Sequence, residues 1–127
     1  MSIPAELKYT KEHEWLKLDG DVAMIGLTDH AQDALGDIVF VEVPETGRQV
    51  QAAEPFAVVE SVKAVSDVYA PAGGEVIEVN AGLETVPELV NSDPYGEGWL
   101  AKIKLSDPSQ LDALMDAEAY AEYLNEA

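Results

Sequence analysis

The chain contains no cysteine. A disulfide framework, a thiolate nucleophile and a cysteine zinc site are therefore excluded, and any redox chemistry has to arrive on a cofactor or a partner. Positive charge is nearly as scarce: seven lysines and arginines face 25 aspartates and glutamates, for a formal net charge of −18. Such a chain is repelled by nucleic acid and by anionic membrane surfaces, which argues against both as partners. It would instead attract proteins that carry basic patches, although a solvated acidic surface accounts for most of the carboxylates. No apolar run approaches transmembrane length. Met1 to Thr10 has neither the apolar core of a signal peptide nor an arginine-rich transit pattern. The expected location is the bacterial cytoplasm, with the mature mitochondrial matrix as the alternative.

Catalytic motifs are missing too. His13 and His30 are the only histidines, too few and too far apart in sequence for a helical zinc motif. There is no G-x-S-x-G elbow, Walker loop or dinucleotide fingerprint. Asn91, Asp93, Gly96 and Glu97 superficially resemble a calcium loop, but Pro94 and Lys102 occupy its fourth and twelfth places, and a tight turn is the better reading. Paired acids such as Glu12 and Glu14 suit acid–base work, yet in so acidic a chain such pairs arise by chance.

What is present is a chain of 127 residues, 47% apolar, sufficient for one domain with a real core. Tyr9 to Leu18 reads as a strand, Asp19-Gly20 as a two-residue turn, and Val22 to Leu27 as the returning strand. Thr28 is a good N-cap for a short helix that Asp29 favours electrostatically and Gly36 closes. Ile38 to Val43 alternates as a strand, placing Ile38, Phe40 and Glu42 on one face and Val39, Val41 and Val43 on the other. Pro44 to Gly47 is a turn, Val50 lies in a short strand, and Pro55 to Glu60 with Val65 to Ala70 forms a hairpin. Pro71 to Gly74 turns into a strand over Glu75 to Asn80. Pro87 to Val90 is a helical turn, Asn91 to Gly98 is dense in turn formers, and Trp99 to Leu105 is the last strand. Asp107-Pro108 opens a helix with Leu111, Leu114 and Met115 on its apolar stripe, and Asp116 restarts a second one through Tyr120, Tyr123 and Leu124. Short strands with regular turns predict a β-sandwich or barrel-like core with peripheral helices.

The stretch that organises this pattern is Val58 to Asp67. Its centre, Lys63, is the only basic residue between Gln49 and Ala101. Two valine-rich strands flank it, so Ser61 to Ala64 is a hairpin tip carrying an exposed primary amine. A solvated turn charge is one reading of that amine. A catalytic role is another, but it requires burial or a cationic neighbour, and the sequence supplies neither. An attachment point is the third; it requires only exposure and a rigid hairpin. The residues by themselves leave the first and third readings open.

Glu60-Ser61-Val62-Lys63-Ala64 strongly resembles the lipoyl attachment site of the glycine cleavage system H-protein family. Tyr9 to Trp15, Ile25 to Gln32 and Leu35 to Pro44 are similar to further family segments, as is Pro87 to Trp99. The likeness extends in order from about Tyr9 to Tyr123. It implies a mainly β, barrel-sandwich hybrid of lipoyl-domain type: two small antiparallel sheets, a short internal helix and a C-terminal helical segment. On this reading residues 1–127 form a single lipoyl-carrier domain, with 107–125 as the C-terminal helical segment packed on it.

The resemblance also implies a function. The protein is then a cofactor-bearing carrier and not an enzyme, with (R)-lipoate joined covalently to Lys63. Glu60 and Gly74 match a glutamate and a glycine of the attachment pattern, and are expected to help the lipoate-attaching enzyme recognise the hairpin. The implied partners are pyridoxal-phosphate-dependent glycine decarboxylase, tetrahydrofolate-dependent aminomethyltransferase, which receives the aminomethyl group, and dihydrolipoamide dehydrogenase, which reoxidises the carrier. The loaded arm is expected to fold into a cleft that limits water, with Glu12, Glu14, His30 and Asp67 making polar contacts to its amine. A carrier that visits several enzymes is expected to be monomeric. Two rivals stand beside this reading: a lipoyl carrier that donates lipoate or serves another complex, and an unmodified acidic binding module.

Overall fold

The Asp19-Gly20 turn forms as its residues dictate. In the computed structural model, which describes residues 3–126, Gly20 adopts φ 64°. It joins β2 (Glu14–Asp19) to β3 (Val22–Leu27) in continuous register from Asp19↔Val22 to Glu14↔Leu27. Met1, Ser2 and Ala127, assigned above to the same domain, lie outside the described residues.

The single strand expected from Tyr9 to Leu18 is split. Lys8–Tyr9 forms β1, the chain reverses, and β1 pairs back on β2 through Tyr9↔Trp15. Thr10 builds the reversal: its Oγ1 accepts from the backbone N–H of Glu12 at 3.2 Å and of Glu14 at 3.1 Å. His13 completes it at φ 69°, a left-handed conformation that few non-glycine residues adopt and that sequence alternation does not reveal.

Thr28 caps α1 (Asp29–Leu35) by accepting from Ala31 N, and Gly36 ends it at φ 78°. In β4 (Ile38–Glu42) the expected alternation fails. A bulge between Ile38 and Phe40 sends both Val39 and Phe40 outward, while Ile38 and Val41 are buried. Four more strands follow: β5 (Gln49–Val50), β6 (Pro55–Ser61), β7 (Val65–Tyr69) and β8 (Gly74–Val79). The expected helical turn at Pro87 to Val90 runs into α3 (Leu89–Ser92), and a further short helix, α2 (Gly82–Thr85), precedes it. Strand β9 (Ala101–Leu105) starts two residues later than expected, although Leu100 N still bonds Ile25 O at 2.8 Å.

All pairings are antiparallel. One sheet runs β1-β2-β3-β9-β8-β5 and the other β4-β6-β7. Together with α1 and the C-terminal segment they make the barrel-sandwich arrangement of lipoyl-domain type. Ile25, Val41, Val59, Val68, Val76 and Ile103 fill the space between the sheets, all buried. Each such side chain contributes roughly 1.5–3 kcal/mol by leaving water.

The C-terminal segment differs in detail from expectation. Asp107 caps it, its carboxylate accepting from Ser109 N at 3.1 Å, but the turn that follows is a 3-10 helix, Pro108–Ala113. Met115 is not on a helical stripe; it exchanges two backbone hydrogen bonds with Tyr9, at 2.8 and 2.9 Å. Helix α4 (Ala117–Glu126) then buries Tyr120 completely, its ring stacked on Tyr9 with centroids 4.6 Å apart. No helix among the described residues is long and apolar enough to cross a membrane.

Candidate functional site

Ser61 holds the lysine turn rigid. Its N–H donates to Ala64 O at 2.8 Å, and its Oγ accepts from the backbone N–H of Lys63 at 3.3 Å and of Ala64 at 3.1 Å. The serine itself is buried, while Lys63 and Ala64 are exposed, so the turn is anchored from its inner side. A second tie comes from outside the hairpin, where Val62 N donates to Asp37 O at 3.0 Å. Asp37 follows Gly36, and Lys63 Cε lies 3.6 Å from where a Gly36 Cβ would sit. The lysine stem therefore rests at the C-terminal end of α1 while the residue remains exposed. Glu60 is exposed on β6, the central strand of the smaller sheet.

Beside α1 and β7 lies a cleft of 270 Å³. Its apolar lining includes Leu27, Ala31, Leu35, Val59 and Val68, and its polar lining includes all four residues expected to meet the arm: Glu12, Glu14, His30 and Asp67. The Thr10–His13 reversal delivers Glu12, the first residue of β2 is Glu14, α1 delivers His30 and β7 delivers Asp67. Since Leu35 lines the cleft and the Lys63 stem rests against its neighbour Gly36, the lysine stands close to the cleft's α1 end.

Glu14 is the buried carboxylate of this site, 2% exposed. Thr10 Oγ1 donates to it at 2.6 Å and Tyr69 N at 3.3 Å. Burial pushes its pKa up to about 7, against the pull of these two donors. The same side chain also lines a second cleft of 340 Å³ with Thr10, Tyr69, Ala70 and Leu114.

Two contributors escape sequence reasoning. His13, distant from His30 along the chain, lies against it with ring centroids 4.5 Å apart and lines the same cleft. Burial, then the nearby His30, lowers its pKa. Tyr120 stands behind it, its hydroxyl 2.9 Å from His13 Nδ1 and 2.8 Å from Thr28 Oγ1. The reversal at His13 creates both contacts, and no local motif announces it.

Gly74 lies elsewhere, buried at the start of β8 and paired with Leu105 and Val50. A Cβ there would meet Lys104 O at 2.0 Å and Ile103 Cγ2 at 2.7 Å. The calcium-like segment has other uses: Asn91 bonds Ile38 N, Gln32 Oε1 and Gly36 O, and Asp93 Oδ2 accepts from Glu97 N.

Comparison with known proteins matches this architecture along nearly its full length. The glycine cleavage H-protein family matches residues 7–127. The chain is 57% identical over 125 residues to the glycine cleavage system H protein of Symbiobacterium thermophilum, covering 98% of each. It is 60% identical over 126 residues to that of Halothermothrix orenii, covering 99% of this chain and 98% of the relative. A solved glycine cleavage system H protein from Mycobacterium marinum superposes with a TM-score of 0.86 at 39% identity, covering 98% of both chains. The chain belongs to the glycine cleavage H-protein family, whose members are lipoyl-bearing shuttles of the glycine cleavage system and not themselves catalysts.

Proposed function

We propose that lipoate is attached to Lys63 and that the 270 Å³ cleft shelters the loaded arm. The observation that carries this is the lysine's setting: exposed on a turn braced by Ser61 and Asp37, with its stem at the α1 end of the cleft. The chain's residues suit the group. A methylene chain requires an apolar trough, which Leu27, Ala31, Leu35, Val59 and Val68 offer, and a terminal amine requires acceptors, which Glu12, Glu14 and Asp67 supply. Once attached, the lipoyl group supplies a disulfide that takes up the aminomethyl unit of glycine. The protein's own part is to hold the arm's root and to limit water around its end.

The partners proposed are glycine decarboxylase, aminomethyltransferase, dihydrolipoamide dehydrogenase and a lipoate-attaching enzyme. The bacterial origin of the relatives supports a place in the bacterial cytoplasm. One domain serving as a monomeric carrier is the simplest assembly for such traffic. Glu60, exposed beside the turn, is proposed to be read directly by the attaching enzyme. Gly74 is proposed to act at a distance, by allowing β8 to approach β9 and so supporting the fold that carries the hairpin.

Intact-mass measurement after treatment with a lipoate ligase, ATP and lipoate tests the attachment. One lipoyl addition is expected on the native chain and none on Lys63→Arg; a native chain without added mass contradicts the assignment. The cleft is tested by hydrolysis of the loaded form. Glu14→Ala and His30→Ala are expected to release the one-carbon unit faster than the native carrier, and unchanged rates in both would remove the cleft from the account.

A further inference from the structure

The smaller sheet turns a second face to solvent, away from the core. Phe40 pairs with Glu60 and Glu60 pairs with Val65, so the three stand in one row across β4, β6 and β7. Directly paired residues of an antiparallel sheet point the same way. Glu60 therefore stands between two uncovered apolar side chains, Phe40 at 46% and Val65 at 67% exposure. Val39 and Val62, at 51% and 70%, enlarge the apolar surface around the lysine turn. The bulge in β4 is what turns Val39 and Phe40 outward together. Single exposed apolar residues are ordinary, but four gathered at one modified turn form a patch of the kind that marks an interaction site. Exposed carboxylates border it: Asp37 at the turn, and Glu42 in the next outward row, paired with Val58.

We propose that this apolar collar, with Glu60 set in it, is the docking surface for the lipoate-attaching enzyme, which meets it with an apolar patch bordered by basic side chains. The proposal rests on the assignment of Lys63 as the attachment residue. Reach selects this partner over the others. Before modification the amine extends only as far as a lysine side chain, and Ser61 and Asp37 hold the turn at its root. In the reaction the unprotonated amine attacks the carbonyl carbon of an activated lipoyl donor, a mixed anhydride with a nucleotide phosphate. The bond between that carbon and the phosphate oxygen breaks, the nucleotide monophosphate leaves, the amide forms, and the amine's proton passes to solvent; no electrons are exchanged. To bring that carbonyl to Nζ, the donor's enzyme has to lie flush on Val62, Val65 and Phe40. Enzymes that act later address the far end of a longer arm and need not cover its root. The acidic border gives the contact its sign, since a basic partner is drawn to it and a second copy of this acidic chain is repelled.

The test is the lipoylation rate of the native chain and of the double variant Phe40→Ser/Val65→Thr, with lipoate ligase, ATP and lipoate. The expected result is a drop in kcat/KM of about tenfold or more, as for loss of an apolar anchor, with the urea midpoint held and the rate retained in Phe40→Leu. Double-variant protein driven to complete lipoylation with excess ligase should support glycine–bicarbonate exchange like the native carrier. A native rate in the double variant overturns the collar while leaving the attachment assignment intact. A native chain that takes up no lipoyl mass overturns that assignment and the collar with it. Exchange lost as severely as modification would give the surface to the decarboxylase, and native self-association abolished by the double variant would give it to a second copy. Either result overturns the proposal.

Discussion

Glu14 is the residue on which cleft and fold stability meet. An unfolded glutamate releases its proton near its ordinary value of 4.5, whereas the folded chain holds this one up to about 7. Between those values the folded state binds the proton that the unfolded state has lost, so stability falls as pH rises through the window. The difference between those values corresponds to about 3 kcal/mol for this buried group. Glu14→Gln keeps the shape and cannot ionise. Its stability relative to the native chain is therefore expected to rise by about 3 kcal/mol from pH 4 to pH 8 in urea titrations. Parallel native and variant curves would show that the buried carboxylate carries no such linkage. The strain this implies at neutral pH suits a carrier, because an ammonium entering the cleft would supply the counter-charge that ionised Glu14 lacks.

Among the elements, β8 sets the firmest steric demand. Gly74→Ala would push a Cβ against the Lys104 carbonyl, which belongs to the paired strand β9 and cannot rotate away. A loss of about 3 kcal/mol is expected, at the upper end of overpacking costs, measured as a lowered urea midpoint. Slower lipoylation should follow only where the chain is partly unfolded; a fully stable Gly74→Ala that is modified slowly would mean that the attaching enzyme reads Gly74 itself. Elements with local signals were legible in the sequence. Asp19-Gly20 announced the first hairpin, Thr28 and Gly36 bounded α1, and the valines around Lys63 announced the central hairpin. Elements shaped by distant or irregular backbone were not. The positive φ at His13 and the bulge before Phe40 leave no trace in alternation, yet one builds the polar wall of the cleft and the other the outer collar. Tyr120 was readable as an apolar docking residue, but its hydroxyl partners His13 and Thr28 depend on the tertiary fold.

At the scale of the whole molecule, the fold sets the Lys63 amine on a turn held from two sides. It is braced from within by Ser61 and from α1's end by Asp37, with a sheltered cleft to one side and an apolar collar on the sheet's outer face. The surrounding excess of carboxylates, −18 overall, favours basic partners at long range and weakens with salt. Amide formation at Lys63, as proposed, would remove its positive charge and leave no basic side chain between Gln49 and Ala101. The most direct test is glycine–bicarbonate exchange with glycine decarboxylase, comparing the native chain and Lys63→Arg after identical treatment with lipoate ligase. Arginine keeps the charge and the reach but does not accept the acyl group under these conditions. The account predicts exchange with the native carrier and only background with Lys63→Arg; exchange at the native level by Lys63→Arg would contradict it.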